Sequence, residues 1–236
     1  MKKAFTLAEV LIVLGIVGVI AALTLPSLIT NYKVKVLEAR FKEADALISQ
    51  ALLKTANEAG YDSIQSFNIP WSEFNNTNYT ELKRQVDVMN EIWPKQFKGI
   101  EPINFYNFYP NKTCKVMTGQ VDGGNKYCWG GYQLPNGMIV GKLSAAHSGT
   151  NYPGIVQVFF DTNGPQGPNR WGHDIFIYLS DITYNARNSC NPSIPVSTGH
   201  YYCYYYAHNN INTADKNKPY WDMLFKPLSY WQKSDK

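Results

Sequence analysis

The feature that most constrains this chain is the run from Phe5 to Ile29, which carries a single charged side chain, Glu9. As a helix rising 1.5 Å per residue, it is long enough to cross the roughly 30 Å hydrocarbon core of a bilayer. Lys2 and Lys3 precede it and, by the positive-inside rule, would stay in the cytoplasm. A secretory signal peptide has a shorter apolar core with a small-residue cleavage site behind it. Here the small residue, Ala4, stands in front of the core. The run therefore reads as a lasting anchor to which the remaining residues are attached as a body.

Glu9 is the informative exception. Insertion of an acid at mid-bilayer costs about 2.5–3.5 kcal/mol, less near an end, and a purely anchoring helix gains nothing from it. A buried carboxylate calls for a cation at similar depth. Gly18 and Ala22 form a small-xxx-small pair that permits close helix contact.

Beyond Pro26 the helical pattern continues. Val34, Leu37, Phe41, Leu47, Ile48, Ala51, Leu52 and Ala56 recur at the spacing of one apolar face, while Lys33, Lys35, Glu38, Arg40, Lys42, Glu43 and Asp45 fall mostly elsewhere. Gly60 is the expected stop. A helix from Phe5 to Ala59 would be about 80 Å long.

Lys3-Ala4-Phe5-Thr6-Leu7-Ala8-Glu9-Val10 resembles the prepilin processing motif of type IV pilins and type II secretion pseudopilins. The resemblance implies cleavage by a prepilin peptidase between Ala4 and Phe5, with N-methylation of Phe5. It also implies assembly through Glu9, which would pair with the new amine on Phe5 of a neighbouring subunit. Pro26 stands where pilin-like helices carry a kinking proline. Two positions depart from the commonest pattern: Ala4 replaces the usual Gly before the cut, and Ala8 the usual Ile or Val. The implied partners are other pilin or pseudopilin subunits, the prepilin peptidase, an inner-membrane assembly platform and, before assembly, the membrane itself. The implied location is the inner membrane with the head outside the cytoplasm, then a filament or the cell surface.

Residues 1–4 thus read as a leader, 5–30 as a membrane or filament-core helix, 31–60 as its amphipathic continuation and 61–236 as a globular head. Apolar residues make up 44% of the chain and charged residues 17%, which excludes a disordered polyampholyte. The net charge of +4 is too small to suggest a nucleic-acid partner. Residues 61–135 show few regular patterns, apart from a short helix expected over Glu81 to Trp93. The sequons at Asn75, Asn78 and Asn111 are read as chance. Gly131 to Leu134 and Met138 to Leu143 flank Pro135-Asn136-Gly137, a strong hairpin signal. Gly154 to Phe160 and Asp174 to Leu179 supply further strands. The expected fold is α+β, with a long N-terminal helix, its first half transmembrane, packed on a head with an antiparallel sheet of about four strands.

Cys114, Cys128, Cys190 and Cys203 form no C-x-x-C pair. Four cysteines allow three connectivities, and four reduced thiols are the alternative. The two local loops, Cys114–Cys128 and Cys190–Cys203, are preferred, each worth roughly 3 kcal/mol in the chain-entropy model.

Between the last two strands lies Asp161-Thr162-Asn163-Gly164, running on through Gly167-Pro168-Asn169 to Asp174. Asp and Asn two apart before Gly is how short loops offer hard oxygens to Ca²⁺, although no EF-hand is spelled out because Gly172 occupies the twelfth position. The stretch is similar to D-x-N-G-x-x-G-P-N-x-x-G-x-D-x-F in pilin-like proteins, and heads of major pseudopilins often hold calcium near here. The expected ligands are Asp161, Asn163, Asp174 and loop carbonyls, including that of Gln166. The alternative is a metal-free turn in which the same side chains cap backbone donors.

His147, His173, His200 and His208 share no ligand spacing, and no nucleophile elbow, phosphate loop or H-E-x-x-H occurs. The chain is not expected to be an enzyme. Three roles fit: a structural filament subunit, a minor tip subunit or adhesin whose aromatic-rich head binds a glycan or protein, and an anchored binding protein that never polymerises.

Overall fold

The computed structural model describes residues 6–104, 130–146, 154–180, 190, 192, 203–227 and 231. Ala4, Phe5, Cys114 and Cys128 lie outside the described residues, and so does the expected Cys114–Cys128 pairing.

One helix, α1 (Leu7–Glu58), runs without a break through Pro26. Pro26 has no N–H to donate, which leaves the carbonyl one turn back without its usual bond. The nearby hydroxyls bond into the helix: Thr24 Oγ1 donates to Ile20 O, Ser27 Oγ to Thr24 O and Thr30 Oγ1 to Pro26 O, each at 2.9 Å. The polar side chains of the apolar half are thereby satisfied within the helix. The C-terminus closes as the sequence led one to expect, one residue early. Gly60 has φ +86°, its N–H donates to Asn57 O, and the Tyr61 N–H donates to Ala56 O. Those two bonds make a Schellman motif, which needs a left-handed residue at Gly60.

The apolar first half of α1 is long and apolar enough to cross a membrane, and none of its most apolar window is buried in the molecule. Burial begins at Val34 and continues through Leu37, Phe41, Ala44, Ile48, Ala51, Leu52, Thr55 and Ala56. These are largely the residues that the helical period selects.

α2 (Asn76–Ile92) starts earlier than expected because Asn75 caps it, accepting from Thr77 N at 3.0 Å and Asn78 N at 2.9 Å. Its buried face is Leu82, Val86 and Met89.

Among the described residues the sheet is antiparallel and has six strands where about four were expected: β1 (Glu101–Asn104), β2 (Gly130–Gln133), β3 (Ile139–Gly141), β4 (Ser144–Ala146), β5 (Ile155–Asp161) and β6 (Ile175–Leu179). β1 pairs with β2 and β2 with β3, while β5 pairs with β3, β4 and β6. β3 and β4 are one strand interrupted by a bulge. Val140 faces Phe160 and Ser144 faces Gln157, so three residues on one side oppose two on the other. α2 repairs the interruption. The Asn90 side chain accepts from Leu143 N and donates to Leu143 O, both at 2.9 Å, and Trp93 Nε1 donates to Gly141 O at 3.0 Å.

Between α1 and the sheet lies an aromatic core centred on Phe41. Its ring is 4.7 Å from Phe176, 5.3 Å from Trp221, 5.9 Å from Tyr204 and 6.2 Å from Phe160. Tyr204 and Trp221 belong to the C-terminal segment, where a short helix, α3 (Cys203–His208), lies against β6. Asp45 of α1 holds that helix, accepting from Tyr204 Oη and pairing with His208 Nδ1 at 2.9 Å.

Candidate functional site

Among the described residues, two places carry chemistry. At the start of α1, Thr6 is the N-cap and Glu9 the third helical residue, and together they form a capping box. Glu9 Oε2 accepts from Thr6 N and Thr6 Oγ1, both at 2.8 Å, and Thr6 Oγ1 accepts from Glu9 N at 3.3 Å. This corrects the expectation that an anchoring helix gains nothing from the carboxylate. Glu9 satisfies two donors at the helix start, the Thr6 N–H and the Thr6 hydroxyl. The Thr-x-x-Glu spacing was in the sequence as a capping-box signature. The resemblance to a processing motif covers the same two residues and masks that signature.

The second place is the connection between β5 and β6. Asp161 faces Ile175 at its neck, and Thr162 N donates to Asp174 O at 2.8 Å. Both carboxylates are buried without residual exposure. Asp161 Oδ1 accepts from Asn163 N at 3.0 Å and Gly164 N at 2.9 Å. Asp174 accepts from Asn169 N through Oδ2 and Arg170 N through Oδ1, both at 2.7 Å. Burial pushes the Asp174 carboxyl up to about 6, outweighing the backbone donors that pull it down.

The loop is wedged at two glycines. Gly164 has φ +60°, and a Cβ there would come within 2.6 Å of Gly137 O in the β2–β3 turn. That turn is itself tied to α1, because Asn136 Nδ2 donates to Glu43 Oε1 at 2.9 Å. Gly172 has φ +74°, and its Cβ would meet Tyr220 Oη at 2.8 Å and Cys203 Sγ at 2.9 Å. Cys203 is bonded to Cys190, the expected local pair.

Asp161, Asn163 and Asp174 are thus brought together at the neck of the loop, whereas Gln166 ends a single 3-10 turn (Gly164–Gln166) and is exposed. Three buried oxygens of the loop have no hydrogen-bond partner among the described residues: Thr162 Oγ1, Asn163 Oδ1 and Asn169 Oδ1. Leaving such an atom unsatisfied costs about 1–3 kcal/mol, so an ion or water that reached them would recover that cost. Asn169 was not among the expected ligands; its place next to Pro168 in the loop was the available signal. Among the described residues, no group of three or more His, Cys, Asp or Glu gathers in one place. A cation here would rest on two carboxylates plus amide and backbone oxygens, a donor set that suits Ca²⁺ and not Zn²⁺. The donor types are those that Ca²⁺ takes. The same residues also do what the metal-free alternative described, because both carboxylates cap backbone donors.

None of the family models, curated proteins or solved structures compared with the chain matches it.

Proposed function

We propose that this chain is a structural subunit, a pilin or pseudopilin, of a type IV pilus or type II secretion-like filament. A prepilin peptidase cuts it between Ala4 and Phe5, Phe5 is methylated, and subunits drawn from the membrane polymerise through α1. The observation that carries this reading is the division of one unbroken helix. Its first half buries nothing in its own molecule, and its second half is the central element of the head core. An apolar helix surface of that size needs lipid or other subunits around it. Glu9, the one charge in the run, then pairs with the amine of Phe5 on a neighbour in an apolar surrounding, where removing either partner strands a charge at several kcal/mol.

The test separates that pairing from the capping box. Glu9→Gln keeps an acceptor for Thr6 but removes the charge, and Glu9→Leu removes both. Both variants are expected to abolish filaments in the sheared surface fraction while the full-length protein still accumulates in the membrane. Normal filament yield from Glu9→Leu would overturn the assembly scheme. Loss in Glu9→Leu alone would assign the effect to the cap.

The Asp161–Asp174 loop is proposed as a structural Ca²⁺ site, with donors from Asp161, Asn163, Asp174 and Asn169 Oδ1; the exposed Gln166 is left out of the set. Bound there, the ion would neutralise two buried carboxylates and tie the two ends of the loop together. Titration calorimetry on the full chain in detergent should show Ca²⁺ binding, and a chelator should lower the melting temperature of the head. Absence of both effects would sink the ion. No catalytic role is proposed.

A further inference from the structure

The Asp161–Asp174 loop is not held by its own residues alone. One wall is the segment around the Cys190–Cys203 disulfide. Pro192 O accepts from Arg170 Nη2 at 3.2 Å and lies 3.1 Å from His173 Nε2. Tyr220, fully buried, donates its hydroxyl to Gly172 O. The Cys190 carbonyl accepts from Thr213 Oγ1 at 3.0 Å, and Thr213 Oγ1 also reaches Trp231 O at 3.3 Å, which fixes the disulfide segment to the C-terminal residues. From the disulfide to the acid the path is short. Cys190 leads to Pro192, Pro192 O holds the Arg170 guanidinium, and the Arg170 N–H is donated to Asp174 Oδ1.

We infer that the Cys190–Cys203 disulfide is the positioning element of this loop, so that its carboxylates take up a divalent cation only after the disulfide has closed. The inference rests on the cation reading above and adds an order of events to it. Closure removes two protons and two electrons from the thiols by exchange with a protein disulfide, which leaves as a dithiol. With the thiols apart, the covalent tie from residue 190 to α3 is lost, and residue 192 is left to its hydrogen bonds with Arg170 and His173. The backbone donors to Asp174 then lose their support, and its buried carboxylate is left without fixed partners beside Asp161.

The experiment uses the full chain in detergent in three forms: oxidised wild type, C190S/C203S, and G172A. G172A keeps the disulfide but pushes a methyl group against Tyr220 and Cys203. Hydrogen exchange across residues 163–174 is expected to be at least about ten-fold faster in both variants than in wild type, with β5 and β6 unchanged. Calorimetry with CaCl₂ alone is expected to show at least about ten-fold weaker binding in both variants. Loop exchange indifferent to the disulfide would overturn the inference. Loss of protection spread equally over β5 and β6 would do so as well, because the disulfide would then be a general staple. The two readings fail separately. No calcium heat from oxidised wild type removes the ion, while the exchange measurement still decides whether the disulfide positions the loop.

Discussion

The two halves of α1 share one backbone and differ in what their side chains find. From Leu7 to Ile29 the residues are apolar on nearly all sides, and the described residues of the head do not cover them. From Val34 to Ala56 one face is apolar, and the head closes over it. The contrast teaches that the second half obtains its stability from tertiary packing within the subunit, whereas the first half finds no such packing among the described residues. Substitutions should therefore divide sharply along the helix.

The largest expected effect is at Phe41. Phe41→Ala removes the ring that touches Phe160, Phe176, Tyr204 and Trp221, and should destabilise the head by about 3–5 kcal/mol in thermal melts of the full chain in detergent. Leu14→Ala, made in the exposed half, should leave that melting curve where it was. Comparable shifts from the two variants would erase the distinction between the halves.

Next comes alkali. Burial raises the hydroxyls of Tyr178, Tyr204 and Tyr220 above the ordinary tyrosine value, and Asp45 pushes Tyr204 further in the same direction. A raised acid contributes stability that is fully present below its unfolded pKa and lost as pH rises toward the folded one. The head should therefore weaken above about pH 10, with the absorbance of these buried tyrosinates appearing only as it unfolds. Smooth ionisation of every tyrosine in a folded head would contradict the packing around Phe41.

A smaller effect is expected where α2 repairs the bulge. Asn90→Leu strands the N–H and carbonyl of Leu143 and should cost about 1–3 kcal/mol, read as a lower urea midpoint without change in slope. The smallest belongs to the exposed half. Thr6→Val removes the cap, worth about 1 kcal/mol to the helix end, and should not move the melting of the head at all.

What could be read from the residues follows the same division. The α1 period was legible because a long amphipathic helix repeats its signal many times, and the Asn136-Gly137 hairpin because its turn chemistry is local. β1 was not legible. Its residues, Glu101 to Asn104, include Pro102 and are mostly exposed, so no apolar alternation marks an edge strand. β4 is three residues, too short for any period, and its place depends on Asn90, which lies in another element. At the candidate loop, Asp161, Asn163 and Asp174 were visible as a local pattern. The support from Pro192, Tyr220 and the disulfide was not, because it is made by residues distant in sequence, and so were the orphaned oxygens of Thr162 and Asn169.

The central claim is that the apolar half of α1 is processed and then docked between subunits, and the most direct measurement is the mass of the N-terminal peptide of the protein taken from its own cell envelope. The account predicts a peptide beginning at Phe5 with one added methyl group on its amine. A peptide still beginning at Met1, or one beginning beyond the apolar run, would contradict it.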